Sequence, residues 1–219
     1  MSPDLTNLLL FAAFVVVILG MMIFGNRNSM IGKMGRVKTM HLKDFKDGEV
    51  GKFMGEIHTA REHLVAPISR QKCVGYEVHV LSKNDKNQRH LLTVKRFNDA
   101  IVIRGGLHAV VAEKDAQVEI NQSIDVYTSL FTDTEDHIKL FLEENGIRVK
   151  NFFGLNNAFE ITEGILHIGE YVAVMGQGHW VEKPIPNNPS ETVRYLVMKP
   201  TEKNPVFLTD KPTYDKHAL

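Results

Sequence analysis

Histidine, serine and cysteine are the side chains of this 219-residue chain that could support catalysis or bind a metal, and it has ten histidines and one cysteine. The most suggestive grouping is His63, Ser69 and Tyr76, because a histidine beside a serine can activate it as a nucleophile. This grouping predicts, as the alternative function, a hydrolase or a cofactor of a protease. A turn-forming role for Ser69 is the competing interpretation, since the sequence identifies no carboxylate partner.

The sequence patterns that mark metal, phosphate and hydrolase sites are absent. No His-Glu-x-x-His spacing occurs, and a single cysteine excludes every Cys-rich zinc module. Arg104-Gly105-Gly106 lacks the lysine of a phosphate-binding loop, and no Gly-x-Ser-x-Gly elbow occurs. The sequence therefore predicts no cofactor and no metal, with the histidines scattered over surface and edge-strand positions.

Cys73 is the one thiol of the chain. A reactive thiol needs an exposed, electropositive setting, and Arg70 and Lys72 are close in sequence. A free cysteine within a strand, however, usually behaves as a small buried apolar residue, so we predict that Cys73 is buried. A lone cysteine cannot form an intramolecular disulfide, which fits a reducing compartment.

An uncharged apolar stretch extends from Leu8 to Gly25. Its length is close to the lower limit for a membrane-spanning helix, roughly 17 to 20 residues. The preceding residues contain no Lys or Arg, and no small-residue cleavage site follows, which argues against a secretory signal peptide. Residues 1–25 are therefore predicted to form a transmembrane anchor.

Positive charge follows this stretch directly, since residues 26–46 contain six basic residues and one acidic residue. Cytoplasmic flanks of membrane spans carry the excess of Lys and Arg, so the predicted orientation is N-terminus outside and C-terminal domain in the cytoplasm. The segment is either a basic juxtamembrane linker on anionic headgroups or a flexible linker. The residues predicted to meet the membrane surface are Arg27, Lys33, Arg36 and Lys38.

Residues 47–219 are dominated by short segments rich in Val, Ile, Phe and Tyr that are bounded by Gly, Asn, Asp or Pro, which is typical of β-strands. One helix is predicted over residues 132–147, capped within residues 132–134 and ended by Asn145-Gly146. Many short strands with one helix predict a mainly β (α+β) domain, a small barrel or sandwich. The buried stripe of the helix would comprise Ile138, Phe141 and Leu142.

One short segment occurs twice, as GEVGKFMG at residues 48–55 and as GEYVAVMG at residues 169–176. Its first glycine predicts a turn, the middle predicts a strand, and the last glycine predicts a bend or bulge. Met54 and Met175 would be core fillers.

The segment LVAPISRQKCVGYEVHV, residues 64–80, resembles the signature of the GIDE domain, also called the BAM (beside-a-membrane) domain. This domain occurs in mitochondrial membrane-anchored ubiquitin ligases and in related bacterial proteins. The positions that match its turn and strand are Pro67, Ser69, Cys73 and Tyr76. In FEITEGILHIGEYVAVMG, the matching positions are Glu160, Gly164, Gly169, Glu170 and Gly176.

This resemblance implies an N-terminal transmembrane helix followed, over residues 47–219, by an OB-like β-barrel with an inserted helix. It implies an interaction or ligand-sensing module in membrane stress or protein quality control. Its partners would be the bilayer and a membrane protein, such as a LemA-type protein or a membrane protease; a homo-oligomer is compatible with it.

Two departures from the family limit what the resemblance implies. The ligases carry a zinc-binding RING and a second transmembrane helix, whereas this chain has one cysteine and no second long apolar run. We therefore expect a protein that is not an enzyme and has no ligase activity. Nucleic-acid binding is not expected either, because acidic residues outnumber basic ones after residue 46.

Overall fold

The structure is a computed structural model of the chain, and the chain divides into two compact units, residues 1–38 and 39–219. The residues that it describes are 14, 29–83, 89–129, 134–150, 156–185 and 188–211.

The described part of the first unit contains a short helix, α1 (Met30–Met34). Ser29 caps its N-terminus, with the side-chain oxygen accepting a hydrogen bond from the Gly32 N–H at 3.0 Å. Two of the residues predicted to meet the membrane, Lys33 and Arg36, lie in and just after α1, and Arg36 Nε donates to the Gly32 carbonyl at 3.0 Å.

No helix within the described residues is long and apolar enough to cross a membrane. The predicted anchor, apart from Phe14, and the predicted surface residue Arg27 lie outside the residues that the structure describes.

The described part of the second unit contains twelve strands, one α-helix and two short 3-10 turns, Leu42–Asp44 and Glu113–Asp115. The mainly β class predicted from the sequence is therefore confirmed. In chain order the elements are β1 (Glu49–Thr59), β2 (Leu64–Val65), β3 (Lys72–Ser82), β4 (Arg89–Phe97), β5 (Ala100–Arg104), β6 (Leu107–Val111), β7 (Ala116–Glu119), β8 (Gln122–Tyr127), α2 (Asp136–Glu144), β9 (Phe159–His167), β10 (Tyr171–Ile185), β11 (Asn188–Lys199) and β12 (Val206–Thr209).

Five strands pair in a closed ring, in the order β1-β5-β6-β11-β10 and back to β1. The β6–β11 pairing is parallel, and the other four are antiparallel. β12 adds to β10, and β7 adds to β12, which completes the ring sheet. The ring encloses an apolar core, whose fully buried members include Phe53, Ile57, Val102, Ala109, Val174 and Leu196.

The repeated segments form the β1–β10 pairing of this ring, with Phe53 directly opposite Val174. Gly48 and Gly169 have φ values of 74° and 84°, so the first glycine of each copy makes a turn, as predicted. A Cβ on Gly55 would lie 2.5 Å from the Ile103 carbonyl oxygen, so only glycine lets β5 approach β1 there.

The two methionines of the repeat lie on the face of their strands opposite Phe53 and Val174, because side chains alternate along a strand. Met175 is buried, as predicted, whereas Met54 is only half-buried. Residues that precede the repeat also fill the ring core. Leu42 and Phe45 are buried there, and the Phe45 and Phe53 rings meet edge to face.

A second sheet is built from two insertions in the ring. β2, β3 and β4 lie between β1 and β5 in sequence, and β8, α2 and β9 lie between β6 and β10. β3 pairs with β4 and β2 along one edge and with β9 along the other, and β9 pairs with β8. The β3–β9 pairing therefore joins the two insertions.

Helix α2 covers one face of the second sheet, which we call the inner face. Ile138, Phe141 and Leu142 are buried against it, as predicted. The helix ends at Asn145 and Gly146, also as predicted, and Gly146 has a φ of 77°. Its N-cap position is occupied by Glu135, which makes no side-chain cap, so the predicted cap Thr134 is wrong. The other two predicted caps, Thr132 and Asp133, lie outside the described residues.

Candidate functional site

Residues 66–71 of the segment that carries the resemblance form a tight loop between β2 and β3. The Ala66 N–H donates to the Gln71 carbonyl at 2.9 Å, and the Arg70 N–H donates to the Ala66 carbonyl at 3.0 Å. Pro67 fixes the backbone at the start of the loop, and Arg70 has a positive φ of 61°. This geometry leaves the N–H groups of Ile68 and Ser69 outside the loop's own hydrogen bonds.

A buried carboxylate receives these two N–H groups. Glu163 of β9 is fully buried; its Oε1 accepts from the Ile68 N–H and its Oε2 from the Ser69 N–H, both at 2.9 Å. Bonds from N–H groups to an ionised acceptor are about twice as strong as neutral ones. Burying a carboxylate costs free energy unless such partners compensate it, so loop and carboxylate stabilise each other.

Helix α2 holds the same loop from its other side. The Ile68 carbonyl accepts a hydrogen bond from His137 Nε2 at 2.8 Å, so this ring nitrogen carries a proton. His137 Nδ1 lies 3.4 Å from a carboxylate oxygen of Glu135. The Ile68 side chain packs into the apolar cluster under α2. The loop is therefore fixed by β9 and by α2 together.

Cys73 and Tyr76 lie near this carboxylate and are shielded from water. Burial, and then the negative charge of Glu163, raise the pKa of the Cys73 thiol to about 11. The thiol is thus protonated near neutral pH, and the predicted burial of Cys73 is confirmed. Burial also raises the pKa of Tyr76, an effect that the positive charge of Arg96 and, to a smaller extent, its hydrogen bond partly oppose.

The residues of the alternative catalytic grouping are not joined by hydrogen bonds. Ser69 Oγ is buried and has no partner among the described residues, so neither His63 nor Tyr76 bonds to it. His63 is exposed, whereas Tyr76 is half-buried against the apolar clusters of the inner face.

The remaining positions of the resemblance serve other parts of the fold. A Cβ on Gly164 would lie 2.7 Å from the Asn121 carbonyl oxygen, so glycine lets the chain before β8 approach β9. Glu170 accepts from the His167 N–H at 2.9 Å in the turn that contains Gly169. A Cβ on Gly176 would lie 3.2 Å from the Lys199 carbonyl oxygen in the ring.

Sequence reasoning selected Glu160 on β9 and missed Glu163. Glu160 lies 3.3 Å from Lys83 Nζ in an ion pair, on the face opposite the helix. The available signal was the alternation of β9, where Phe159, Ile161 and Ile165 are buried and Glu163 occupies the same stripe. An acid within an apolar stripe requires a specific partner.

The opposite face of the second sheet carries a chain of polar side chains from β3 and β4. Glu77 binds Lys95 Nζ at 2.6 Å through Oε2 and His79 Nε2 at 3.1 Å through Oε1. His79 Nδ1 lies 3.0 Å from Thr93 Oγ1, which lies 2.8 Å from His90 Nε2. These five side chains form one continuous network across two paired strands.

Further polar contacts extend this surface to β9 and β8. Lys83 lies over the Tyr127 ring at 4.1 Å from its centroid, and Thr162 Oγ1 lies 3.4 Å from Gln122 Oε1. We call this surface the polar face; it comprises Glu77, His79, Lys83, His90, Thr93, Lys95, Gln122, Tyr127, Glu160 and Thr162.

No set of three or more His, Cys, Asp or Glu side chains among the described residues could hold a metal ion.

Comparison of the chain with known protein families, with curated proteins and with solved structures gave no match.

Glu163→Gln is expected to lower the free energy of unfolding by about 2 to 4 kcal/mol. The new NH₂ group would face an N–H donor, so either the Ile68 or the Ser69 N–H would be left buried without an acceptor. Urea unfolding followed by circular dichroism measures the loss.

Glu160→Gln, on the same strand, is the matched control. It removes the charge that pairs with Lys83 on the polar face and should cost less than about 1 kcal/mol. Equal losses of unfolding free energy in the two variants would show that the hydrogen bonds from the loop to Glu163 stabilise the fold no more than the ion pair of Glu160 does.

Proposed function

We propose that the chain is a membrane-anchored, non-catalytic interaction module whose mainly β unit works beside the bilayer, on its cytoplasmic side. The uncharged stretch from Leu8 to Gly25 and the basic residues after it support the anchor and its orientation. The resemblance of residues 64–80 to the GIDE, or BAM, domain supports the class of module, with a membrane protein, such as a LemA-type protein or a membrane protease, as its partner.

We also propose that the ring of five strands is an OB-like barrel. The order β1-β5-β6-β11-β10, closed by the β1–β10 pairing and containing one parallel pair, supports this interpretation. Closure removes sheet edges that would otherwise pair with other chains. Such a ring is a rigid base from which the two insertions can present the polar face.

The proposed interaction function rests on the structure of the polar face. Its side chains already hold one another in fixed positions, so a partner that binds there meets a preorganised surface and less side-chain entropy is lost. Tyr127, at its border, is 57% exposed, and an amphipathic aromatic ring is a frequent anchor of protein interfaces. In contrast, the thiol and the carboxylate next to the loop between β2 and β3 are enclosed, since both Cys73 and Glu163 are fully buried.

A photo-crosslinking phenylalanine analogue at Tyr127 tests this function in membranes from cells that express the full-length chain. We expect a discrete adduct with one membrane protein, which mass spectrometry would identify. The same analogue at Leu140, which is 56% exposed on α2, is the matched control and should give no such adduct. Identical patterns from both positions, or no adduct from either, would contradict the proposed role of the polar face.

The anchor and its orientation are tested by charge removal. Replacement of the four predicted membrane-surface residues by glutamine should invert or scramble the membrane topology, because the positive charge that follows the anchor determines the orientation. Protease protection of the β unit in sealed vesicles reports the outcome, and unchanged topology would refute the charge argument. The replaced residues are Arg27, Lys33, Arg36 and Lys38; the control replaces Lys72, Arg89, Lys114 and Lys183, which are exposed on the β unit.

A further inference from the structure

The hydrogen-bond network of the polar face fixes where its protons lie. A carboxylate only accepts hydrogen bonds, so His79 Nε2, at 3.1 Å from Glu77 Oε1, carries a proton. When His79 is neutral, its Nδ1 is therefore an acceptor, and the Thr93 hydroxyl donates to it at 3.0 Å. That hydroxyl has one hydrogen, so it must accept from His90 Nε2 at 2.8 Å.

All the bonds of the neutral network consequently point in one direction, from His90 through Thr93 and His79 to Glu77. Lys95 closes the network by donating to the other oxygen of Glu77. Each ring has a single tautomer, with the proton on Nε2 in both His79 and His90. This order follows from donor and acceptor capacity alone.

Uptake of a proton by His79 reverses the direction of the hydrogen bond between His79 and Thr93. Both ring nitrogens then donate, so His79 Nδ1 gives its hydrogen to Thr93 Oγ1, which still accepts from His90. The two lone pairs of Thr93 are then occupied, and its own hydrogen is released toward solvent. One added proton thus gives the surface a positive charge and a new outward donor.

We propose that the polar face is an acid-responsive docking surface, in which protonation of His79 turns the Thr93 hydroxyl outward, toward a carboxylate of the partner protein, which the added positive charge complements. The proposal rests on the proposed docking function of this face. Histidine is the side chain whose charge normally changes between pH 5 and 8, so two pH values within that range are used in the test.

The polar and charged groups around His79 come from its own strand and from the two strands paired with it. On its own strand Glu77 lies beside it and compensates the added charge, and on β4 the side chains that face it are Thr93, His90 and the more distant Lys95. On β9 its direct neighbour is Thr162, with Glu160 next on the same face. The other charged group of β9, Glu163, lies on the inner face, where Ile68 and Ser69 bind it.

Nitrogen NMR of the full-length protein in detergent micelles, labelled at histidine, tests the proton assignment without any partner. His79→Gln and His90→Gln assign the two signals. At pH 7.5 we expect a protonated Nε2 and a bare Nδ1 for both rings, and at pH 5.5 a second proton on His79. An Nδ1-protonated His79 at pH 7.5 would overturn the proposal.

Thr93→Val is the diagnostic variant, because valine keeps the shape and strand preference of threonine but has no hydroxyl. His90 should lose its single tautomer, whereas His79 should keep its own through Glu77. An unchanged His90 signal would also overturn the proposal, since it would show that no network passes through Thr93.

The docking part is tested by crosslinking from Tyr127 at pH 7.5 and pH 5.5. We expect the adduct yield in the native sequence to be at least several-fold higher at pH 5.5 than at pH 7.5, and this increase to be lost in Thr93→Val. An equal pH response in both proteins would overturn the switch. Absence of the adduct at both pH values, with the NMR result as expected, would refute the docking function and leave the proton network standing.

Discussion

The contact between the Glu163 carboxylate and two loop N–H groups is the constraint on which the second sheet depends. The loop belongs to the first insertion of the ring, and the carboxylate belongs to the second, so neither is satisfied until β3 and β9 have paired. A buried carboxylate without hydrogen bonds is too costly to persist, which penalises every other arrangement of the two insertions. His137 then ties helix α2 to the same loop.

The ring gives this arrangement its frame. Its closing pair is formed by the two copies of the repeated segment, and each copy ends in a glycine that admits a neighbouring backbone. Helix α2 closes the inner face of the second sheet, and the other face carries the polar side chains. Alternation along β3 then places Val78 and Val80 inside and Glu77 and His79 outside, so the same strand builds the core and the polar face.

The sequence predicted the local features of this fold well, because they depend on neighbouring residues. The strand segments, the end of α2 and the burial of Cys73 all follow from composition and periodicity within short windows. Glu163 was missed because its partners lie 94 and 95 residues away, and no local pattern announces a backbone donor. The network through His79 and Thr93 was missed for a related reason. It requires the register of β3 against β4, which a bulge at Val80 and Leu81 shifts.

The loop between β2 and β3 has first of all a structural role, because one buried carboxylate holds it against β9. Amide hydrogen exchange at Ile68 and Ser69 measures this most directly. Loop amides normally exchange through small local fluctuations, whereas amides bonded to Glu163 should exchange only when β9 separates from the loop. We expect protection from exchange at both residues comparable to that of the Val78 amide in β3. Exchange of Ile68 and Ser69 at the rate of the exposed Gly105-Gly106 turn would contradict it.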